Sequence, residues 1–313
     1  MLGYQTTLRE RLEFAGIGVH SGKAVNMVLL PAEADTGIVF NVADSNGCFS
    51  DLKANLSSIG ATDLCTVLGQ LDQAYVATIE HLMAALSALN VDNVLIELDG
   101  NEVPVMDGSS ASFVEAIKNV GLTSLSARRC YIRVNKSVRV DMGLSWGEFV
   151  PYEGTRFEVE IDFDCETIGR QKFASDISED VFCNELSRAR TFGFMKDVER
   201  LWSAGFALGS SLENSVVIGE DNNIINPEGL RYGDEFVRHK TLDAIGDLAL
   251  AGVPIIGCFR SYRGGHKLNS LVLKELLSTP EAFDFVEPPR SRPRVMHRDL
   301  VAVSAPAYAA VLA

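Results

Sequence analysis

The stretch EFVRHKTLDAIGDLALAG, residues 235–252, decides how the rest of the chain is read. Leu242, Ile245, Leu248 and Ala249 recur at helical spacing, which predicts a core-facing helix. His239 and Asp243 sit four residues apart, one turn above the other on one face, and Asp247 extends that stripe by another turn. A His and a carboxylate at this spacing can share a metal ion, since both bind zinc at about 2 Å. The same pair can equally be a solvated contact on an amphipathic helix, so a third ligand is the discriminating feature.

The chain has 313 residues, 47% of them hydrophobic, enough to bury a full core. A length of this order predicts two domains of about 150 residues each. The formal charge of -14 disfavours nucleic-acid partners, which need a basic footprint, and leaves room for an anionic small ligand. No apolar run is long enough to span a membrane, and residues 1–14 contain no run of signal-peptide type. The six cysteines are scattered, with no CxxC pair, which suggests reduced thiols in a cytoplasmic protein.

Residues 1–40 read as strands: TTLRERLEFAGIGV, KAVNMVLLPA and GIVFNV, with His20 at a strand end beside the Ser21–Gly22 turn. Residues 44–70 look like an insertion. Thr78 is placed to cap a helix running from Ile79 to about Leu89, followed by the strand NVLIEL. A second helix follows the caps at 107–110 and closes at Gly121. Residues 122–129 read as a linker between domains 1–125 and 130–280. The second domain repeats the plan: strands, an insertion at 193–222, the opening helix, the strand PIIGCFRSY, a sharp RGGH turn and a last helix. Residues 281–313 form a C-terminal extension. Helix, short turn and strand recur in both parts, so the expected fold is α+β: two pseudo-duplicated domains, each a layer of helices on a β-sheet, each carrying one insertion.

If the two helices are related by that duplication, His81 on the first faces His239 and Asp243 on the second, at the domain interface. Two His and one Asp leave one position open, as in a catalytic zinc site. Glu80 precedes His81 and points about 100° away around the helix, so it reaches a water on the ion rather than the ion itself. His266, in the glycine turn, can act as a general acid if Asp247 contacts it. Another metal-dependent amidase or lyase, or a metal-stabilised binding module without turnover, remains open on these grounds.

The motifs GIGVHSGK (16–23), TIEHLMAAL (78–86), VMDGSSASF (105–113), SRARTFGFM (187–195), EFVRHKTLDAIGDL (235–248) and YRGGHKLN (262–269) closely resemble those of the UDP-3-O-acyl-N-acetylglucosamine deacetylases. These enzymes catalyse the committed step of lipid A synthesis in Gram-negative bacteria. The resemblance implies that His81, His239 and Asp243 bind zinc, with iron(II) also compatible. It implies Glu80 as general base and His266 as general acid, supported by Asp247. Thr191 should hydrogen-bond the oxyanion or the zinc-bound water, and Lys240 the substrate or its phosphates. Arg263 stands where the family has a basic residue for the diphosphate. The 193–222 insertion resembles the one that forms the family's acyl-chain tunnel, with Phe194, Met195, Val198, Ala207, Ser211 and Val217 assigned to its lining and Phe192 near the sugar. Cys65 matches a cysteine near the metal that is not a required ligand, and His20 is grouped with the substrate contacts. Ser145, before Trp146, departs from relatives that carry a basic residue there, which leaves part of the nucleotide contact unassigned. The apolar end APAYAAVLA (305–313) resembles a family tail that marks the protein for proteolysis. The implied partner is the UDP-3-O-acyl-GlcNAc substrate, acted on by a monomer.

Overall fold

The computed structural model describes residues 3–44 and 47–288. The chain opens with β1 (Tyr4–Leu8), β2 (Leu12–Ile17), β3 (Ala24–Pro31), β4 (Ile38–Ala43) and β5 (Phe49–Lys53). The two-residue strands β6 (Leu68–Gly69) and β7 (Tyr75–Val76) lead to α1 (Glu80–Ala88), β8 (Val94–Leu98), α2 (Ala111–Val120) and β9 (Leu122–Arg128). Then come β10 (Tyr131–Val134), β11 (Val138–Met142), β12 (Ser145–Val150), β13 (Thr155–Asp162), β14 (Arg170–Asp176) and the single turn α3 (Glu179–Val181). The last part is β15 (Phe192–Phe194), α4 (Met195–Ser203), β16 (Val216–Ile218), α5 (Glu235–Leu248), β17 (Ile255–Tyr262), α6 (His266–Leu277) and β18 (Phe283–Val286). The architecture is α+β, as the sequence suggests.

One sheet has the order β2-β3-β8-β4-β5, antiparallel except for the β4–β8 pair. The other has seven strands built on β17, which pairs antiparallel with β12 and parallel with β10 and β13. Alternation sets which faces are buried: Val25, Met27 and Leu29 of β3, and Phe157, Val159 and Ile161 of β13, point into the core. Helices α1 and α5 lie against each other, and α5 also packs on α6, β13 and β14. Both helices are buried almost all round, as expected of helices covered on every side.

Their close approach has a local cause. A Cβ at Gly246 of α5 would overlap the Glu80 carbonyl oxygen of α1, so only glycine lets the two backbones meet there. Ala84 and Ala85 of α1 and Ala244 of α5 are buried small side chains on the same two helices.

Three features depart from the sequence reading. Residues 122–128, expected as linker, form β9, which pairs antiparallel with β1. The first strand run therefore breaks at the exposed residues 9–11, and only its second part joins the five-stranded sheet. Thr78 does not cap α1: its φ is 59°, and its hydroxyl donates to Glu102 Oε1 at 3.1 Å. His266, expected in the glycine turn, is the first residue of α6, just after Gly265. Part of the extension is ordered, since β18 pairs with β10. The proteolysis tail at 305–313 lies outside the described residues.

Candidate active site

Helix α1 supplies His81 and helix α5 supplies His239 and Asp243, all buried. One ligand-type atom from each lies within 4.8 Å of the other two, and no other group of three or more His, Cys, Asp or Glu side chains comes together this way among the described residues. The imidazole rings stand edge to face, 5.0 Å apart. His81 Nε2 is 3.5 Å and His239 Nε2 3.3 Å from Asp243 Oδ1.

The protonation pattern shows what the arrangement can accept. His239 Nδ1 lies 3.1 Å from the Ala189 carbonyl, which can only accept, so the ring proton sits on Nδ1. Burial pushes the His239 pKa down to about 3, against the opposing charge of Asp243. Its Nε2 thus turns a lone pair toward a carboxylate oxygen. Burial alone would raise Asp243, but His239 and Lys240 hold it well below the usual carboxylate range. Asp243 Oδ1 is buried without a hydrogen-bond partner, while Oδ2 accepts from Lys240 Nζ at 2.8 Å. The His239 lone pair and an orphaned anionic oxygen, with His81 Nε2 beside them, fit a cation. The distance from each imidazole Nε2 to Asp243 Oδ1 fits as well: donors about 2.0–2.1 Å from a tetrahedral ion are about 3.3–3.4 Å apart. The donor set could therefore hold a metal ion.

Glu80 and His266 flank this cluster. Glu80 begins α1, and its Oε2 accepts from the Thr66 backbone N–H at 3.1 Å. Burial raises its pKa, against the lowering influence of His266 and His81. His266 Nε2 is 4.0 Å from both Glu80 Oε1 and Asp243 Oδ2. Its Nδ1 lies 3.0 Å from Asp247 Oδ2. Burial works against the imidazolium, but the charges of Asp247 and Glu80 prevail and raise its pKa to about 9.

The cluster opens into a cavity of about 510 Å³. Phe192, Phe194, Met195, Val198, Ala207, Ser211 and Val217 all line it, as do Thr191, Lys240 and His20. Phe192 packs edge-on against Phe236 and approaches His239. His20 Nδ1 accepts from the Ala207 N–H at 3.4 Å, and its ring meets Phe206, so the strand-end turn abuts the second insertion. Arg263 and Cys65 are not among the lining residues. Burial and the nearby Glu80 charge raise the Cys65 thiol to about 12, so it stays protonated. A larger cavity, about 740 Å³, lies at the other end of the α1–α5 pair, but holds no such ligand cluster.

The sequence reading missed several neighbours. Phe163, Leu201 and Trp202 also line the cavity. Arg190 and Glu235 form a fully buried ion pair, Nε to Oε1 at 2.9 Å, with the Arg190 N–H on the same oxygen at 3.0 Å. This pair ties the segment carrying Ala189 and Thr191 to the start of α5. Thr66 was missed because it lies in irregular chain with no period to read.

Residues 5–278 match the family described as LpxC, UDP-3-O-acyl N-acetylglycosamine deacetylase. The chain is 60% identical over 287 residues to the UDP-3-O-acyl-N-acetylglucosamine deacetylase of Brucella ovis, covering 92% of this chain and 100% of that protein. The protein of the same name from Brucella canis matches equally, and that of Brucella melitensis biotype 2 is 59% identical over the same span. With a family match over most of its length and relatives this similar along their whole length, the chain belongs to the family of UDP-3-O-acyl-N-acetylglucosamine deacetylases.

Proposed function

We propose that this chain hydrolyses the 2-acetamido group of a UDP-3-O-[(3R)-3-hydroxyacyl]-N-acetylglucosamine, giving acetate and the free amino sugar of lipid A biosynthesis. The observation that carries this reading is the convergence of His81 Nε2, His239 Nε2 and the orphaned Asp243 Oδ1, beside Glu80 and His266. Zinc suits these three donors, and iron(II) also accepts His and carboxylate ligands. When bound, the ion supplies a Lewis acid for the amide carbonyl and lowers the pKa of a water.

The chain's own residues do the rest. Glu80 takes a proton from the attacking water through Oε1, since Oε2 is committed to Thr66. Thr191, whose backbone is stitched to Gly108 and Val216, donates its hydroxyl to the carbonyl oxygen as negative charge develops there. His266, held by Asp247, gives its Nε2 proton to the departing amine as the C–N bond breaks. Lys240 neutralises Asp243 and keeps two further N–H donors for the substrate. The apolar cavity walls take the acyl chain, and Phe192 the sugar. Arg263 and Cys65 would act at the margin: Arg263 toward the diphosphate outside the cavity, and Cys65 as packing behind Glu80.

The reading includes residues 1–125 and 130–280 as duplicated domains, supported by the shared helix–strand order of α1–β8 and α5–β17. A monomer suffices, because one chain supplies every residue of the site. The unpaired cysteines suit the cytoplasm, and no helix among the described residues is long and apolar enough to cross a membrane. The test is acetate release from UDP-3-O-(3-hydroxyacyl)-GlcNAc by the purified protein. Turnover that stops on chelation and returns with zinc supports the reading, and no acetate under any metal rejects it.

A further inference from the structure

Thr66 sits where the two proton-handling arms of the site meet. It comes from the first insertion, is 1% exposed, and lies just before β6. Its backbone is fixed from both sides: the Ile79 N–H reaches its carbonyl, and the next residue, Val67, bonds Ala61 and Gly60. Its N–H donates to Glu80 Oε2 at 3.1 Å, and its hydroxyl donates to Asp247 Oδ1 at 2.6 Å. Asp247 Oδ2 is left for His266 Nδ1 at 3.0 Å and Asn269 Nδ2 at 2.8 Å. The chain of contacts runs from Glu80 through Thr66 and Asp247 to His266, whose Nε2 faces Glu80 Oε1 again at 4.0 Å.

We infer that Thr66 is a positioning residue that sets the spacing of Glu80 and His266, by holding one oxygen of Glu80 and one of Asp247 so that the other oxygen of each faces its task. The inference rests on the proposed roles of those two residues. A carboxylate has two equivalent oxygens and rotates about its last bond unless each is engaged. The Thr66 N–H selects Oε2 of Glu80 and leaves Oε1 toward the cleft. The Thr66 hydroxyl selects Oδ1 of Asp247, so Oδ2 points at the imidazole. Because one residue makes both contacts, a shift of the first insertion would move both arms together. Thr66 is not among the residues that line the cavity. It acts through Asp247 and Glu80, as outer partners of functional groups commonly do.

The test compares Thr66→Val, which keeps the shape and the N–H but deletes the hydroxyl, with Thr66→Ser, which restores it. Acetate release, metal content and thermal midpoint are measured for each, alone and in a His266→Ala background. Thr66→Val is expected to lower kcat about 10- to 100-fold, with KM within about twofold and the metal retained. Thr66→Ser is expected to recover activity to within about threefold of the parent. In the His266→Ala background, Thr66→Val should cost little more, because the arm it serves is already gone. Thr66→Ala takes the place of the valine variant if that protein does not fold. A full multiplicative loss on top of His266→Ala, or a serine variant as impaired as the valine, overturns the positioning role. Unchanged kcat in the valine variant also overturns it. Full activity in His266→Ala alone instead refutes the acid assignment on which the inference stands, so the two failures are told apart.

Discussion

Gly246 of α5 faces the carbonyl oxygen of Glu80 in α1 so closely that a Cβ at 246 would overlap it. This contact sets the separation of the two helices that carry the ligand-type residues. Gly246→Ala would favour helix by about 1 kcal/mol through propensity, but here it must force the backbones apart. Overpacking of this kind costs about 1–3 kcal/mol. The expected outcome is a lower thermal midpoint together with reduced metal content, read by calorimetry and metal analysis. An alanine variant with parental stability and full metal would show that the approach is not enforced at this residue.

Glu80→Gln and His266→Ala each remove one proposed proton-transfer partner without removing a ligand-type atom of the cluster. General acid–base assistance is worth about 10² to 10⁴ in rate, and kcat should fall by that much in each. Metal analysis of the same preparations should show the ion still bound. Near-parental kcat in either variant removes that residue from the proton-transfer scheme.

The pH profile has a definite sign. Glu80 must be ionised to act as base, and burial raises its pKa, so activity should rise with pH on the acid side. His266 must carry its proton, and with a pKa of about 9 activity should fall as pH rises through that value. The Asp247 charge is the foremost influence raising it against burial, so Asp247→Asn should move the alkaline limb to lower pH. An alkaline limb unmoved in this variant would assign it to another group.

The buried Arg190–Glu235 pair predicts a stability effect separate from the chemistry. Removing the Arg190 side chain leaves the buried Glu235 carboxylate with backbone N–H partners from residues 190 and 231 but no countercharge, at a cost of up to about 3–5 kcal/mol. Arg190→Ala should lower the denaturant midpoint by a corresponding amount. It should also loosen Ala189, whose carbonyl fixes the His239 tautomer, and so weaken metal retention. A variant as stable as the parent would mean that Glu235 finds compensation elsewhere.

The second insertion predicts chain-length discrimination. Val198 of α4 lines the cavity, and Val198→Trp should shorten the space for an acyl chain. Excluding four methylenes forfeits about 3 kcal/mol of burial at about 0.8 kcal/mol each. The ratio of kcat/KM for long over short acyl substrates should therefore fall sharply. Equal losses for both lengths would place the chain elsewhere.

Much of the site was legible because its ligand-type residues lie on helices, where spacing dictates facing. The interval of four between His239 and Asp243 fixed their shared face, and the repeated helix–strand plan suggested bringing His81 to them. The pairing of β1 with β9 was not legible. Its partners are more than a hundred residues apart, and the run 122–129 has no clean alternation to announce a strand. Thr78 carries the residue type of a helix cap, but its φ of 59° and its bond to Glu102 serve the turn instead. Thr66 and Ala189 act through a hydroxyl, an N–H and a carbonyl on irregular chain, which no periodicity marks.

The central claim is that α1 and α5 hold one ion between them, and metal content per chain in His81→Ala and His239→Ala tests it most directly. The account predicts about one zinc per chain in the parent protein and loss of most of it in each variant, although the two residues lie 158 positions apart in sequence. Full zinc retention in His81→Ala, with binding lost only on changes in α5, would contradict it.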